Sequence, residues 1–305
     1  MEAFEIYIKE QFPARKGFLQ EISQLMMISG GKRLRPALVI LSSMLGNYER
    51  QKAFAVAAAI ETLHTATLVH DDIIDRAGAR RGKESVYARH GVNLAVYSGD
   101  YLLVKAVKML SEADIPTERL KDAAHAIELI CLGEVDQFLG RKRIPSFREY
   151  LRRIVRKTGI LFAASCSLGA LSAGRSEEEA RLLARFGMYF GIAFQIRDDL
   201  IDLETVKANE GDAGKPTKHD LKEGIVTLPV VLAARHNVAL RWQLNEYFSE
   251  GGDVTRIVMD ILSAGGAKDA RKIKQRYIEK GHRILGRFPD TESRRALAEA
   301  LAWVS

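Results

Sequence analysis

Two clusters of aspartates carry the strongest chemical signal in this sequence. The first, Asp71-Asp72-Ile73-Ile74-Asp75, ends an alanine-rich apolar stretch, and the second, Asp198-Asp199-Leu200-Ile201-Asp202, ends another apolar run in the second half of the chain. Aspartates four residues apart share one face of a helix, where like charges repel by roughly 0.2–0.5 kcal/mol per pair. Hard divalent cations bind oxygen ligands and relieve that repulsion. One such cluster is typical of a solvated acidic face, but the repetition predicts two metal sites.

Two cationic patches accompany the first acidic cluster. Lys32 and Arg35 follow Gly30-Gly31 and lie three residues apart at the predicted start of a helix. Cations, free backbone amides and the helix dipole together favour an anion at such a place. Arg80 and Arg81 come shortly after Asp75, and the forked guanidinium group suits diphosphate oxygens. The alternative for each patch is an ordinary basic surface.

Three further positions are weaker candidates for a binding site. His64 lies seven residues before Asp71 and therefore on about the same helical face, although a core histidine is the plainer interpretation. The pair Lys157-Thr158 and the side chain of Gln195 fall on predicted helices, where solvated surface residues are the alternative. No nucleophilic triad, zinc cluster or dinucleotide-binding loop is present in the sequence.

Composition limits the partners and the compartment. The 305 residues carry a formal charge of +7 and are 47% hydrophobic, which suits a folded protein with an anionic partner. The sequence contains no basic run interleaved with aromatic residues, so nothing in it indicates nucleic-acid binding.

The cysteines, Cys131 and Cys166, are predicted to be buried free thiols in a reducing compartment. The amino terminus has no signal-peptide core, and residues 158–174 read as an interior helix. We therefore expect a soluble, cytoplasmic protein.

The elements that must position these residues are almost all helical. Apolar residues recur with helical period and no sustained two-residue alternation appears, which predicts one all-α domain over residues 1–305, a bundle around a central cavity that both acidic clusters face. Predicted helices cover 1–28 (two, broken near Pro13), 36–45, 51–75, 93–112, 117–139, 146–172, 176–204 and 219 to the end, with breaks near Gly251, Gly265 and Pro289. Residues 76–91 and 207–218 are predicted loops, the second mobile.

Metal sites, phosphate-binding cations and an apolar interior together indicate chemistry on a diphosphate ester with an apolar tail. Metal ions would polarise the departing diphosphate, and an apolar pocket would protect the resulting cation from water.

The sequence resembles the trans-isoprenyl diphosphate synthase family from about Gly30 to Pro229. The segments that carry the resemblance are Gly30–Pro36, Leu68–Gly82, Gly99-Asp100, Lys157-Thr158, Phe194–Asp202, Gly214-Lys215-Pro216 and Asp220–Pro229. The family implies an all-α fold, usually dimeric, that uses Mg²⁺ to condense isopentenyl diphosphate with an allylic diphosphate. A heterodimer with a small regulatory subunit is the alternative assembly. Farnesyl diphosphate is the expected allylic substrate, and any membrane contact is expected to be peripheral.

The resemblance also implies a role for each matching residue. The magnesium ligands are expected to be Asp71, Asp75 and Asp198, supported by Asp72, Asp199 and Asp202. The isopentenyl diphosphate site is expected to comprise Lys32, Arg35, His64 and Arg81. The allylic diphosphate is expected to contact Arg80, Lys157 and Lys215, with Thr158 and Gln195 near the developing cation. The family pattern has a lysine in place of Ile225 and usually a glycine in place of Lys218 in long-chain members, so one phosphate contact is expected to differ.

Small residues before the first cluster indicate a long product. Ala66 and Thr67 stand where short-chain enzymes of the bacterial type often carry an aromatic residue, and residues 150–171 are similar to the catalytic subunits of two-component heptaprenyl diphosphate synthases. The alternatives are a farnesyl- or geranylgeranyl-length product, or a catalytic chain inactive without its partner. A terpene cyclase would usually lack the second aspartate cluster, and a non-catalytic subunit would tend to lose the aspartates.

Overall fold

The computed structural model describes residues 1–13, 17–28, 32–80, 82–113, 115, 117–208 and 220–305. Most of these residues are helical, and the prediction of an all-α protein is confirmed. The helices are α1 (Glu2–Gln11), α2 (Phe18–Ile28), α3 (Leu34–Ser43), α4 (Arg50–Ile74), α5 (Val86–Ser111), α6 (Thr117–Leu139), α7 (Phe147–Ile154), α8 (Ile160–Ser172), α9 (Glu177–Ala208), α10 (Leu228–His236), α11 (Val238–Glu250), α12 (Val254–Ser263), α13 (Gly266–Leu285) and α14 (Glu292–Trp303).

Side-chain caps explain where several helices begin. Ser146 accepts a hydrogen bond from the amide of Glu149, and the Glu149 carboxylate accepts one from the amide of Ser146, a reciprocal capping box at the start of α7. Asn237 caps α11 and Asp253 caps α12 by accepting from amides of their first turns. Because each cap satisfies an amide without a helical partner, these boundaries are determined locally.

The predicted loop over 76–91 is more ordered than expected. Strands β1 (Ala79–Arg80) and β2 (Lys83–Glu84) form a short antiparallel pair, and α5 begins at Val86 rather than near Asn93. Ser85 caps α5 by accepting from the amide of Ala88, and Gly91, with φ of 80°, kinks the helix early in its course. Because glycine has no side chain, it adopts this positive φ without steric cost, and the chain returns to helical geometry after Gly91.

The polypeptide divides into two compact units. Unit 1 comprises 1–123, 164–184 and 290–297, and unit 2 comprises 124–163, 185–289 and 298–305. The predictions of a single domain and of one cavity facing both acidic clusters remain predictions.

Unit 1 is organised on the pairing of α4 with α5. The buried face of α4 is rich in alanine, and α3 and α5 both pack against this helix. Small side chains allow helix axes to approach closely, which is why an alanine-rich sequence forms the centre of this unit.

Unit 2 has its own hydrophobic core. Ile192, Ile196, Leu200 and Leu203 recur at helical spacing on α9 and belong to one buried cluster with residues of α10, α11, α12 and α13. The apolar stripe that precedes and includes the second acidic motif is therefore the side of α9 that packs into the core.

Two helical segments are long and apolar enough to cross a bilayer, Arg50–Ile74 and Phe147–Ser172. Within the protein, 72% of the first apolar window and 56% of the second are buried, which is typical of core helices.

The cysteines differ from expectation in one case. Cys166 is buried, and burial raises the pKa of its thiol to about 12. Cys131 is exposed, so the prediction that both thiols are buried is wrong for this residue. The prediction relied on the apolar residues around Cys131. In the described chain these residues form a face of α6 that no other helix covers, so the thiol is exposed.

Candidate active site

The first aspartate cluster lies at the carboxyl end of α4 in unit 1. Asp72 is buried, Asp71 is partly buried, and Asp75, the residue after the last helical turn, is exposed. Asp71 and Asp75 lie on one helical face, whereas Asp72 is rotated by about 100° from Asp71 and points into the unit. The three carboxylates therefore have different environments.

Arg80 holds the buried member of this cluster. Its Nε atom lies 2.8 Å from Oδ1 of Asp72, and its Nη2 atom lies 2.7 Å from the same oxygen. Arg80 belongs to β1, so the short hairpin brings the guanidinium group back to the helix end. A buried carboxylate with a charge-assisted partner fixes the rotation of α4. The geometry gives Asp72 a positioning role, which its place in the motif did not reveal.

A histidine beside the first cluster contacts α5. Nε2 of His70 lies 3.3 Å from Oδ1 of Asp100, and its ring packs directly over Gly99. A methyl group at position 99 would collide with that ring. The pair Gly99-Asp100 thus provides both space and a partner for the residue that precedes Asp71.

The second aspartate cluster lies on α9 in unit 2 and repeats the same division. Asp198 and Asp202 are partly buried, whereas Asp199 is buried with 3% exposure. Oδ2 of Asp199 accepts hydrogen bonds from the hydroxyl of Tyr150 at 2.7 Å and from the amide of Leu228 at 2.9 Å. Burial raises the pKa of the Asp199 carboxyl, and these donors oppose part of that rise.

Lys157 and Thr158 occur in a π-helical turn. This turn, Val155–Gly159, joins α7 to α8 without interrupting the helical course. Single π turns within α-helices are frequently found at functional sites because they displace side chains from the regular helical positions. A methyl group at Gly159 would meet the sulfur of Met188 at 2.5 Å, so the π turn and α9 pack closely here.

A chain of hydrogen bonds joins three of the predicted site residues. Thr158 Oγ1 donates to Oε1 of Gln195 at 2.9 Å, and Nε2 of Gln195 donates to Oδ1 of Asp199 at 3.1 Å. Because one end of the amide accepts and the other donates, these partners define the orientation of Gln195. The structure therefore connects the Lys-Thr pair to the second acidic motif.

Lys157 has an acidic partner that sequence reasoning missed. Its Nζ atom lies 2.6 Å from Oε2 of Glu134, and the neighbouring Arg156 pairs with Asp136 at 2.8 Å. Glu134 and Asp136 lie on α6, 23 and 20 residues before their partners, and no local pattern predicts the pairing. Carboxylates from α6 therefore balance the charge of this turn.

Two charged residues near Asp199 were also missed. Arg153 is buried, donates to the carbonyl of Val226 at 2.6 Å and lies over the Tyr150 ring. Burial, together with the charges of Asp202 and Asp199, raises the pKa of Asp220 to about 7. Nothing local in the sequence distinguishes them, because Arg153 follows another arginine and Asp220 lies among charged residues, and their contacts join distant segments.

The anion patch before α3 divides between exposed and buried charges. Lys32 is exposed and Arg35 is partly buried. Arg33, between them, is buried and lies 2.8 Å from both Glu5 and Glu61. Arg33 therefore ties α1 and α4 to the start of α3, and it was not distinguished from its neighbours by sequence.

The remaining predicted residues on α4 lie at different depths. His64 and Thr67 are partly buried, and the Thr67 hydroxyl donates to the carbonyl of His64. Ala66 is buried with 2% exposure.

Some predicted residues fall outside the described part of the chain. They are Arg81 and Lys215, together with Gly30, Gly31, Gly214, Pro216 and Lys218. Ile225 is described and is partly buried, with its amide donating to the carbonyl of Asp220.

The donor set of each cluster fits a magnesium ion. Among the described residues, no three His, Cys, Asp or Glu side chains form a ready-made metal site. Mg²⁺ usually keeps several waters and binds one or two carboxylates together with substrate phosphates, so a closed protein cage is not required. Asp71 with Asp75, and Asp198 with Asp202, each provide two carboxylates on one face while the intervening buried aspartate is otherwise engaged.

Comparisons with known sequences agree with a site built from two aspartate motifs and nearby cations. The profile of the Polyprenyl synthetase family matches residues 16–263. Heptaprenyl diphosphate synthase component 2 of Bacillus subtilis is 36% identical over 289 residues, which cover 94% of this chain and 82% of that protein. Geranylgeranyl diphosphate synthase of Sulfolobus acidocaldarius is 42% identical over 220 residues, covering 70% of this chain and 66% of that protein.

Solved structures are similar over nearly the whole length. Heptaprenyl diphosphate synthase from Staphylococcus aureus superposes with a TM-score of 0.90 at 30% identity, covering 99% of this chain and 96% of that one. A polyprenyl synthase from Caulobacter crescentus, complexed with calcium and isoprenyl diphosphate, has a TM-score of 0.89 at 30% identity, with coverage of 100% and 93%.

Proposed function

Because this chain belongs to the polyprenyl synthetase family and is a prenyltransferase, we propose that it uses Mg²⁺ to elongate an allylic diphosphate with isopentenyl diphosphate. The proposed primer is farnesyl diphosphate and the proposed product is a long all-trans polyprenyl diphosphate, with heptaprenyl as the leading length. The observation that carries the proposal is that the aspartates of both acidic motifs fall into two kinds, one held by the protein and two on a shared helical face. In each, the second aspartate is buried and held by protein donors, while the first and fifth share a helical face.

The proposed roles follow from charge and position. Asp71, Asp75, Asp198 and Asp202 would hold magnesium, which supplies positive charge to the diphosphate and favours its departure. Asp72 engages the Nε and Nη2 edge of Arg80, and the remaining guanidinium donors are proposed to bind the allylic diphosphate together with Lys157 and Lys215. Lys32, Arg35, His64 and Arg81 are proposed to bind isopentenyl diphosphate.

Thr158 and Gln195 are proposed to face the developing allylic cation. Their hydrogen bonds to each other and to Asp199 hold the amide dipole of Gln195 in one orientation. A fixed dipole stabilises charge without reorganising during the reaction, which is the general advantage of preorganised sites. A separate strong base is unnecessary if the departing diphosphate accepts the final proton.

The proposed length of the product rests on α4. Ala66 is buried five residues before Asp71, about 7.5 Å along the helix axis, and presents only a methyl group. Products of farnesyl or geranylgeranyl length are the alternative, because relatives of this chain include enzymes named for both long and short products.

A partner chain is also proposed. On α5, Tyr97, Tyr101, Val104 and Val107 are exposed, and α6 exposes Leu132, Val135, Phe138 and Leu139. Apolar stripes of this kind mark surfaces that another protein covers. The relative from Bacillus subtilis is named as one component of an enzyme, which supports a heterodimer with a small regulatory subunit beside the homodimer. We propose that the enzyme acts in the cytoplasm.

One experiment separates these possibilities. The purified chain is incubated with Mg²⁺, farnesyl diphosphate and labelled isopentenyl diphosphate, and the products are separated by chromatography. Long prenyl products from the chain alone would mean that no different partner chain is required, and activity that appears only with a cell extract supports a two-component enzyme. Matched reactions with EDTA test the metal. Failure to extend geranyl, farnesyl or geranylgeranyl diphosphate, with or without extract, would overturn the proposal.

A further inference from the structure

Two adjoining grooves lie on the surface of unit 2, apart from its acidic motif. The first, about 580 Å³, is formed by residues 143–149, the end of α10 and the start of α11. The second, about 280 Å³, lies between the start of α7, α10 and α13. Phe147 and Arg235 line both, so the grooves share a wall.

Cations dominate the lining of these grooves. They are Arg143, Arg148, Arg235, Arg241, Arg276 and Lys280. The one carboxylate that lines either groove, Glu149, is already engaged by Arg143 at 2.7 Å and by the amide of Ser146 at 2.7 Å. Arg148, Arg235 and Arg241 form no ion pair with any residue in the described part of the chain. Three uncompensated guanidinium groups around one groove favour phosphate groups as ligands.

Apolar surface accompanies this charge. Phe147 and Val231 line the first groove, and Leu232 and Ile273 line the second. On α11, Trp242 is 72% exposed and Val238 is 71% exposed, one helical turn apart and beside the groove residue Arg241. A tryptophan next to arginines is the combination found where a protein meets the interface of a membrane, since the indole is amphipathic.

We infer that unit 2 docks on an anionic lipid surface through these two grooves, with Trp242 and Val238 entering the interface. The arginines bind headgroup phosphates, and each cation near an anionic bilayer gains about 1 kcal/mol, equivalent to about fivefold in partition. Lipid is favoured over a soluble phosphate because the exposed tryptophan and valine would gain nothing from a small anion in water. This inference goes beyond the proposed reaction and does not depend on product length.

The test is sedimentation of the full chain with vesicles. One set contains phosphatidylcholine mixed with phosphatidylglycerol, and the other contains phosphatidylcholine alone. The wild type should bind the mixed vesicles and lose binding as NaCl is raised. The double variant Arg235→Glu/Arg241→Glu should bind about six hundredfold more weakly, because each reversal removes one cation and adds one anion, about 25-fold per residue. Trp242→Ala should weaken binding by several-fold without changing the dependence on salt.

The matched control reverses two charges elsewhere in unit 2. Arg256→Glu/Arg287→Glu changes two exposed arginines outside the grooves by the same net charge and should bind as the wild type does. Turnover of soluble substrates and the melting temperature should be unchanged in the groove variant. If it melts earlier, Arg235→Gln/Arg241→Gln replaces it, and this variant should still bind at least about tenfold more weakly.

Three results would overturn the inference. Equal losses in the groove and control variants would show a response to net charge alone. Equal wild-type binding to both vesicle sets would remove the role of anionic lipid. Absence of vesicle binding, with arginine-dependent binding of inorganic diphosphate or poly-glutamate, would assign the grooves to a small anion or to an acidic protein partner.

Discussion

The hydroxyl of Tyr150 donates a hydrogen bond of 2.7 Å to Oδ2 of Asp199, and both side chains are buried in unit 2. This contact joins α7 to the second acidic motif on α9. Burial and the Asp199 charge raise the pKa of Tyr150 well above its ordinary value, so the tyrosine remains a donor at neutral pH. The motif is therefore positioned from inside the unit rather than from the substrate side.

Replacing Tyr150 with phenylalanine should destabilise the protein. The change removes the hydroxyl donor, so a buried carboxylate oxygen of Asp199 loses one of its hydrogen bonds. The expected cost is about 1–3 kcal/mol in the free energy of unfolding. Urea denaturation measures the loss. Tyr97→Phe, at an exposed position on α5, is the control and should change the value by less than about 0.5 kcal/mol. Equal stabilities of the two variants would mean that the hydroxyl of Tyr150 is dispensable.

Gly99→Ala should disturb the carboxyl end of α4. The added methyl group collides with the His70 ring. Overpacking of this kind typically lowers the free energy of unfolding by about 1–3 kcal/mol. Thermal melting should show this loss, and the double variant Gly99→Ala/His70→Ala should recover most of it because the colliding ring is gone. Gly78→Ala, where nothing lies within 4 Å of the new methyl group, is the matched control. A double variant as unstable as Gly99→Ala alone would contradict the steric explanation.

The aspartates within a motif should separate into two classes. Asp71→Ala and Asp198→Ala should abolish turnover, while metal-free stability holds or rises slightly because like-charge repulsion is relieved. Asp72→Ala should instead lower stability by about 1.5–3 kcal/mol, since it removes the charged partner of Arg80. Labelled isopentenyl diphosphate incorporation and melting in EDTA measure the two properties.

The control for these aspartate variants is Asp269→Ala, on an exposed face of α13. It should leave both turnover and melting close to the wild type. Normal turnover of Asp71→Ala at saturating magnesium would remove this residue from the metal site.

Ala66→Phe tests the route of the growing chain. If the tail runs along α4 away from Asp71, an aromatic ring at this buried position should leave turnover substantial and shorten the products to farnesyl or geranylgeranyl length. If Ala66 only packs against a neighbouring helix, overpacking should destabilise the protein by about 1–3 kcal/mol. Product chromatography and a melting curve distinguish the outcomes. A stable, active variant with unchanged long products would mean that the tail takes another route.

Cys131 and Cys166 should differ in reactivity by at least about tenfold, because the thiolate is the reactive form and exposure controls access. Burial raises the pKa of Cys166 to about 12, whereas Cys131 is exposed. Alkylation with iodoacetamide, mapped by mass spectrometry, should modify Cys131 in the folded chain without its partner and Cys166 only after denaturation, and a partner on the α6 face should protect Cys131. Cys131→Ser should remove the native signal, and early modification of Cys166 would contradict its burial.

The sequence by itself determined the helical fold and the residues able to carry chemistry. Helical period, caps such as Ser146 and the two repeated aspartate patterns are local properties, because residues three and four apart share a face in any helix. The family follows from those motifs and their order, and the profile match over residues 16–263 agrees.

Tertiary structure decided which member of each motif is buried and what holds it. Asp71 and Asp72 look alike in sequence, but the return of β1 gives one of them Arg80 as a partner. The contacts of Tyr150 with Asp199, Lys157 with Glu134, and His70 with Asp100 likewise join residues distant along the chain. Such pairings depend on how helices pack, and packing is set by the sum of many weak contacts rather than by any short pattern.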